Sequence, residues 1–227
     1  MPTLKREGHV FILDLGDGEN RVNPAWITEI GDALDEVTAT EAPRALVTTA
    51  TGKFWSNGLD LEWMAAHQSE IPQLVENIHE VYARFFAANV ATVAAIQGHA
   101  FAAGAMLSLT HDAIVMREDR GYWCVPEVDI RIPFTPGMVS LLQSRLTPAV
   151  ANEAMTTGRR YSGPQAVEAG FVVAAVAEDQ VLATAVDLAE QRAAKDPATL
   201  GAIKSLMYAR QLEVLRGSQG FEVPGAA

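Results

Sequence analysis

Apolar positions along the chain switch between short unbroken runs and a helical spacing. "HVFILDL" is an apolar run of strand length, and "GDGENRVNP" after it reads as a Gly-rich turn and a short segment closed by Pro24. Asp17-Gly18 is a hairpin signal within it. In "PAWITEIGDALDEVTA" the residues Ile27, Ile30, Leu34 and Val37 fall on one helical face. "RALVTTA" reads as a buried strand and is followed by "TGKFWSNGLDLEWM"; the next helix is predicted from about Pro72 to Ala88. "VATVAAIQG" is again a buried strand, "AFAAGAMLSLTHD" a helix and "DAIVMRE" a strand. The order is strand, strand, helix, repeated about two and a half times. From about Leu146 the chain turns mainly helical. "ATAVDLAEQRAAKDPATLGAIKSLMYARQLEVL" predicts two helices meeting at Asp196-Pro197, where proline ends one and can start the other. The pattern describes one α/β body with a helical tail.

Composition narrows what this body does. A chain of 227 residues carries one large domain with a substantial core. The net charge of −11, without clustered Lys and Arg, argues against nucleic acid as a partner. With the single cysteine Cys124, neither an internal disulfide nor a thiolate metal cluster can form, which fits a reducing compartment. "MPTLKREGHVFILDL" lacks a signal-peptide pattern, and the apolar window from Ala87 to Ala105 is interrupted by Asn89, Gln97, Gly98 and His99, which argues against a membrane span. "EVPGAA" carries no lipidation or peroxisomal address. These features predict a cytoplasmic protein. The last stretch, "GSQGFEVPGAA", is rich in turn formers and is expected to be flexible.

Three runs carry candidate chemistry. "IQGHAFAAGAMLSLTHD", Ile96 to Asp112, is small and uncharged where it opens a helix. First-turn amides have no intrahelical partner, and small side chains let a ligand oxygen approach them; tight helix packing explains the same composition. "FWSNGLDLEWM" puts an Asn57-Gly58 turn after a strand, again with bare amides. In "YWCVPEVDIRIPFTPG" Glu127 lies among Val125, Val128 and Ile130, where desolvation would raise its pKa and suit proton transfer; taken alone, a surface Glu on a helix start or strand edge is the better explanation. Ser108, His111 and Asp112 in "SLTHD" share one helix end, whereas triad members meet across a fold, so they read as packing residues. His9, His67, His79 and His99 show no paired metal spacing, and no metal is expected. Trp63 and Met64 read as core.

Taken in order, "FWSNGLDL", "AAIQGHAFAAGAMLSLTHDAIVM", "VPEVDIRIPFTPGM" and "TTGRRYSGPQAVEAGFV" resemble the crotonase, or enoyl-CoA hydratase/isomerase, superfamily over roughly residues 8 to 190. The resemblance implies an α/β spiral of strand-strand-helix repeats over residues 1–190, with a C-terminal helical region over 191–227 that is short for the family. It also implies a homotrimer or hexamer, an acyl-CoA thioester as substrate, and no cofactor beyond the CoA carried by that substrate. The amides of Leu59 and Ala103 are implied as an oxyanion hole. Family hydratases carry two glutamates; Met106 stands at the first position and Glu127 at the second, as in Δ3,Δ2-enoyl-CoA isomerases. The acidic residue of dienoyl-CoA isomerases aligns near Thr135. Trp55, Ser56, Asn57, Asp60 and Met106 are expected to contact substrate, and Lys204 the CoA phosphates. Arg131 stands where glycine is common and is expected to pair with Glu127 and lower its pKa. The alternatives are another enolate reaction such as hydration, decarboxylation or thioester hydrolysis, with Glu62 as the spare carboxylate, or a non-catalytic acyl-CoA binder.

Overall fold

The computed structural model describes residues 1–217; the turn-rich residues 218–227 lie outside the described residues, so the expectation for that segment is not addressed. The chain opens with an antiparallel hairpin of β1 (Thr3–Glu7) and β2 (Val10–Asp14). Its turn is at Gly8, at φ +59°, and not at Asp17-Gly18, which forms only a bend; the segment after that bend joins the structure through a parallel bridge from Val22 to Leu59. Helix α1 (Pro24–Ala39) starts where Asn23 accepts the Trp26 amide and Pro24 takes the first helical position.

Strand-strand-helix units follow. The first is β3 (Ala45–Thr49), β4 (Phe54–Ser56) and the helices α2 (Leu61–Ala66) and α3 (Ile71–Ala87). The next is β5 (Ala91–Ile96), β6 (His99–Phe101) and α4 (Ala103–Leu109). Then come β7 (Ala113–Arg117), β8 (Trp123–Cys124) and the one-turn α5 (Glu127–Ile130). The remainder is α6 (Pro136–Arg145), α7 (Pro148–Thr157), α8 (Gly163–Glu168), β9 (Ala174–Val176), α9 (Val181–Glu190), α10 (Pro197–Met207) and α11 (Ala209–Arg216). The helical tail thus contains a strand that periodicity did not reveal. It also has a second helix break at Tyr208 besides the expected one, where Asp196 accepts the Thr199 amide at 2.8 Å.

The strands sort into two sheets. One has the order β1-β2-β3-β5-β7-β9, parallel except for its first pair; the other is β4-β6-β8, parallel throughout. The central strands β2, β3, β5 and β7 of the large sheet are buried on both faces, as in parallel sheets generally, while the edge strand β1 is largely exposed. Val10, Ile12, Val93 and Val115 pack against Val181, Ala185 and Ala189 of α9, at i, i+4 and i+8, while Phe11, Leu13, Ile96 and Ile114 face the main core. This is the α/β spiral with a helical C-terminal region that the resemblance implies. Among the described residues no helix is long and apolar enough to cross a membrane.

Candidate active site

The small sheet positions the site. Its three parallel strands run in the same sense, so their C-terminal ends lie along one edge, and each releases a segment there: Asn57-Gly58-Leu59 after β4, Ala102-Ala103 after β6, and Val125-Pro126-Glu127 after β8. The first two touch. Gly58 sits at φ +83°, and a Cβ added there would lie 2.8 Å from Ala102 Cβ and 3.3 Å from Ala103 N, so only glycine fits. Val22 donates to Gly58 O at 2.8 Å and accepts from Asp60 N at 2.9 Å; the Leu59 amide between them has no protein acceptor among the described residues. The Ala103 amide, first in α4, has none either. Two free N–H groups therefore lie on adjoining loops. Ala102 is held at φ +50°, ψ −123°, the conformation of the first central residue of a type II′ turn, which favours glycine; a non-glycine residue there costs roughly 1–3 kcal/mol.

Glu127 opens α5 and is 5% exposed. It lines a narrow cleft of about 50 Å³ together with Leu59, Ala103, Met106, Ile132 and Met138. Burial among these groups pushes its carboxyl up from 4.5 to about 7, partly opposed by its own backbone amide, and its Oε2 has no hydrogen-bond partner among the described residues. Among the described residues Glu127 is the one titratable side chain lining the cleft; Met106 is fully buried and offers no proton. A half-neutral carboxyl at physiological pH, beside two unpartnered amides, is equipped to take and return a proton next to a developing oxyanion.

Residues 7–223 match the family model described as enoyl-CoA hydratase/isomerase. The chain belongs to the enoyl-CoA hydratase/isomerase family. It is 37% identical to "Enoyl-CoA delta isomerase 2, peroxisomal" of Arabidopsis thaliana over 86% of both chains, and 30% identical to the same plant's "Enoyl-CoA delta isomerase 1, peroxisomal" over 76% of this chain and 73% of that one. The crystal structure of human mitochondrial delta3-delta2-enoyl-CoA isomerase shares the fold at a TM-score of 0.87 with 21% identity, covering 93% of this chain and 84% of the human one. The expectation of a cytoplasmic location is overturned by these two relatives, both of which are named as peroxisomal proteins.

Within this enoyl-CoA hydratase/isomerase member, several expected contacts lie elsewhere. Of the "FWSNGLDL" motif Asn57, Leu59 and Leu61 line the cleft. Trp55 is fully buried in the core with its indole N–H on Thr48 O at 3.2 Å. Ser56 supports the loop: its hydroxyl donates to Asn20 O at 2.8 Å and accepts the Gly58 amide, and a Cβ on Gly104 would come within 2.6 Å of it. Asp60 caps α2 by accepting the Trp63 amide at 3.1 Å. Lys204 is not at the site at all. It is 2% exposed and reaches Asp112 Oδ1 at 2.9 Å and Val90 O at 3.3 Å, so that the half-buried Asp112 carboxylate takes the place of solvent around its charge. Arg131 forms no ion pair with Glu127; its φ of +60° at the end of α5 turns it to solvent. Glu62 is 86% exposed on Arg21 at 3.1 Å, outside the cleft.

The remaining polar groups are structural. Ser108 donates to Ala105 O at 2.7 Å, and His111, with burial holding its pKa down at about 4, bonds Thr48 Oγ1 at 2.9 Å. Thr135 caps α6 by accepting the Met138 amide and bonds His79 Nε2 at 3.1 Å, His79 being pushed down to about 4 by burial. Among the described residues no group of three or more His, Cys, Asp and Glu side chains could hold a metal ion. Sequence reasoning missed Met138, which closes the cleft, and Tyr82, whose hydroxyl reaches Ala103 O. Both sit at apolar positions of helices, which signal only a core.

Proposed function

We propose that the protein moves the double bond of a 3-enoyl-CoA to position 2. Glu127 as carboxylate takes a proton from C2; the C–H electrons spread through C3=C4 and the thioester carbonyl as a dienolate. The amides of Leu59 and Ala103 donate to its oxygen. Protonated Glu127 then returns the proton to C4, leaving C2=C3 and restoring the carboxylate. No electron or second reactant is needed. One oxyanion donor supplies roughly 3–4 kcal/mol of barrier lowering and a positioned base roughly 10²–10⁴-fold, enough for such a step without a cofactor.

The observation that carries this reading is the lone carboxylate in an apolar cleft. Hydration needs a second group to hold water, and Met106 has none to offer. The relatives named enoyl-CoA delta isomerases support the same choice. The test is turnover of 3-hexenoyl-CoA to 2-hexenoyl-CoA by ultraviolet absorbance, wild type beside Glu127→Gln, with hydration of 2-hexenoyl-CoA followed in parallel. Isomerisation should fall at least roughly 10²-fold in the mutant while hydration stays negligible in both. Hydration outpacing isomerisation in the wild type would refute it.

A further inference from the structure

We infer that Tyr82 is a positioning residue for the oxyanion hole, its hydroxyl holding Ala103 so that the strained turn before α4 keeps the Ala103 amide aimed into the cleft. The inference rests on the isomerase reading of the same site.

Tyr82 lies on α3 and is fully buried; its O–H donates to Ala103 O at 2.9 Å, across 21 residues of chain. Ala103 is the first residue of α4 and follows Ala102, which is held in a conformation that persists only where the surroundings over-determine it. Three other ties hold this turn. Ala102 N donates to Cys124 O at 2.9 Å, Met106 N donates to Ala102 O at 3.0 Å, and Gly58 packs on the Ala102 methyl. The Met106 bond to Ala102 O also orients the Ala103 N–H, because that C=O and N–H share one planar unit. The bond from Tyr82 is the side-chain tie on the next plane, through Ala103 O. Without it Ala103 can turn to relieve Ala102, and the amide shifts as far as the Met106 bond gives. Burial and the nearby Glu127 carboxylate hold the Tyr82 hydroxyl well above its ordinary pKa, so it stays a neutral donor throughout the working pH range. No cleft-lining atom comes from Tyr82, so its effect is indirect.

Tyr82→Phe keeps the ring and deletes the tie. Two readouts are taken on wild type and variant: kcat and KM for 3-hexenoyl-CoA, and the fraction of bound acetoacetyl-CoA present as enolate, read from the enolate ultraviolet band. The expected result is a kcat loss of roughly ten- to hundred-fold with KM changed less than about threefold, and a lower enolate fraction at saturating ligand. The pH midpoint of kcat/KM should stay with Glu127. An equal enolate fraction in the two proteins overturns the inference, whatever turnover does. If the wild type enolises the ligand but does not isomerise, the isomerase reading fails alone and the enolate comparison still decides on Tyr82. If the wild type does neither, both fall together.

Discussion

Glu127 shows how burial converts an ordinary side chain into a reagent. Its charge loses water and gains no partner on Oε2, so the proton is retained up to about pH 7. As the base must be ionised, kcat/KM is expected to fall about tenfold per pH unit below that value and to level above it; a profile flat from pH 5 to 8 would remove Glu127 from the role. The same shift has a stability consequence of definite sign. The folded pKa lies above the unfolded one, so the folded state binds the proton more tightly, and that contribution is complete below about 4.5 and lost as pH rises through 7. The loss is roughly 3 kcal/mol. Glu127→Gln should therefore melt above wild type at pH 8, with the two converging near pH 4.5; thermal scans at both pH values check it. Glu127 was legible through the resemblance of "VPEVDI" to the family motif, since on its own a Glu beside Asp129 reads equally as a surface residue. The outward turn of Arg131 was not, since it depends on the sign of one φ angle at the end of a four-residue helix.

At the scale of elements, the strands and helices that position the site follow hydrophobic period, while single side chains on them do not always obey it. Helix α10 inverts the usual rule: Ile203, Leu206 and Met207 are exposed at 55%, 80% and 59%, and Lys204 is buried. Read along the sequence, a lysine among apolar residues belongs in solvent. What decides otherwise is Asp112, 92 residues away, which also takes the Thr92 amide at 2.8 Å and so ties α10 to the starts of β5 and β7. Burial lowers the Lys204 pKa and Asp112 opposes that. Breaking the pair costs roughly 1–3 kcal/mol, since Asp112 keeps the Thr92 amide and some solvent but loses its counter-charge. Lys204→Ala should lower the midpoint of urea unfolding accordingly while leaving KM for acyl-CoA unchanged; a rise in KM with unaltered stability would return Lys204 to the CoA phosphates. The hairpin was misplaced for a related reason. Gly8 follows a charged strand, "TLKRE", whose alternation is too weak to announce a partner for β2, whereas Asp17-Gly18 had the composition of a turn without its geometry.

The described residues build a parallel sheet, covered on both faces at its central strands, with a small second sheet beside it; the repeating strand-strand-helix units and small residues at their junctions were readable, the division into two sheets was not. Which strand ends share an edge was not readable, because strand order is a property of the assembled sheet. The overall charge of −11 also acts at this scale. A CoA thioester is a polyanion approaching an acidic protein, and salt screens that repulsion over about 10 Å at 0.1 M. Its association rate constant, measured by stopped flow, should rise between low and moderate salt; a fall would reveal a local cationic approach to the cleft. The sealed setting of Glu127 has one last consequence. A proton lifted into that cleft meets Met106 and Met138 rather than bulk water. Deuterium placed at C2 of the substrate should then reappear largely at C4 of the product instead of washing out, so that the fate of a single isotope would report how well two methionines keep the solvent away.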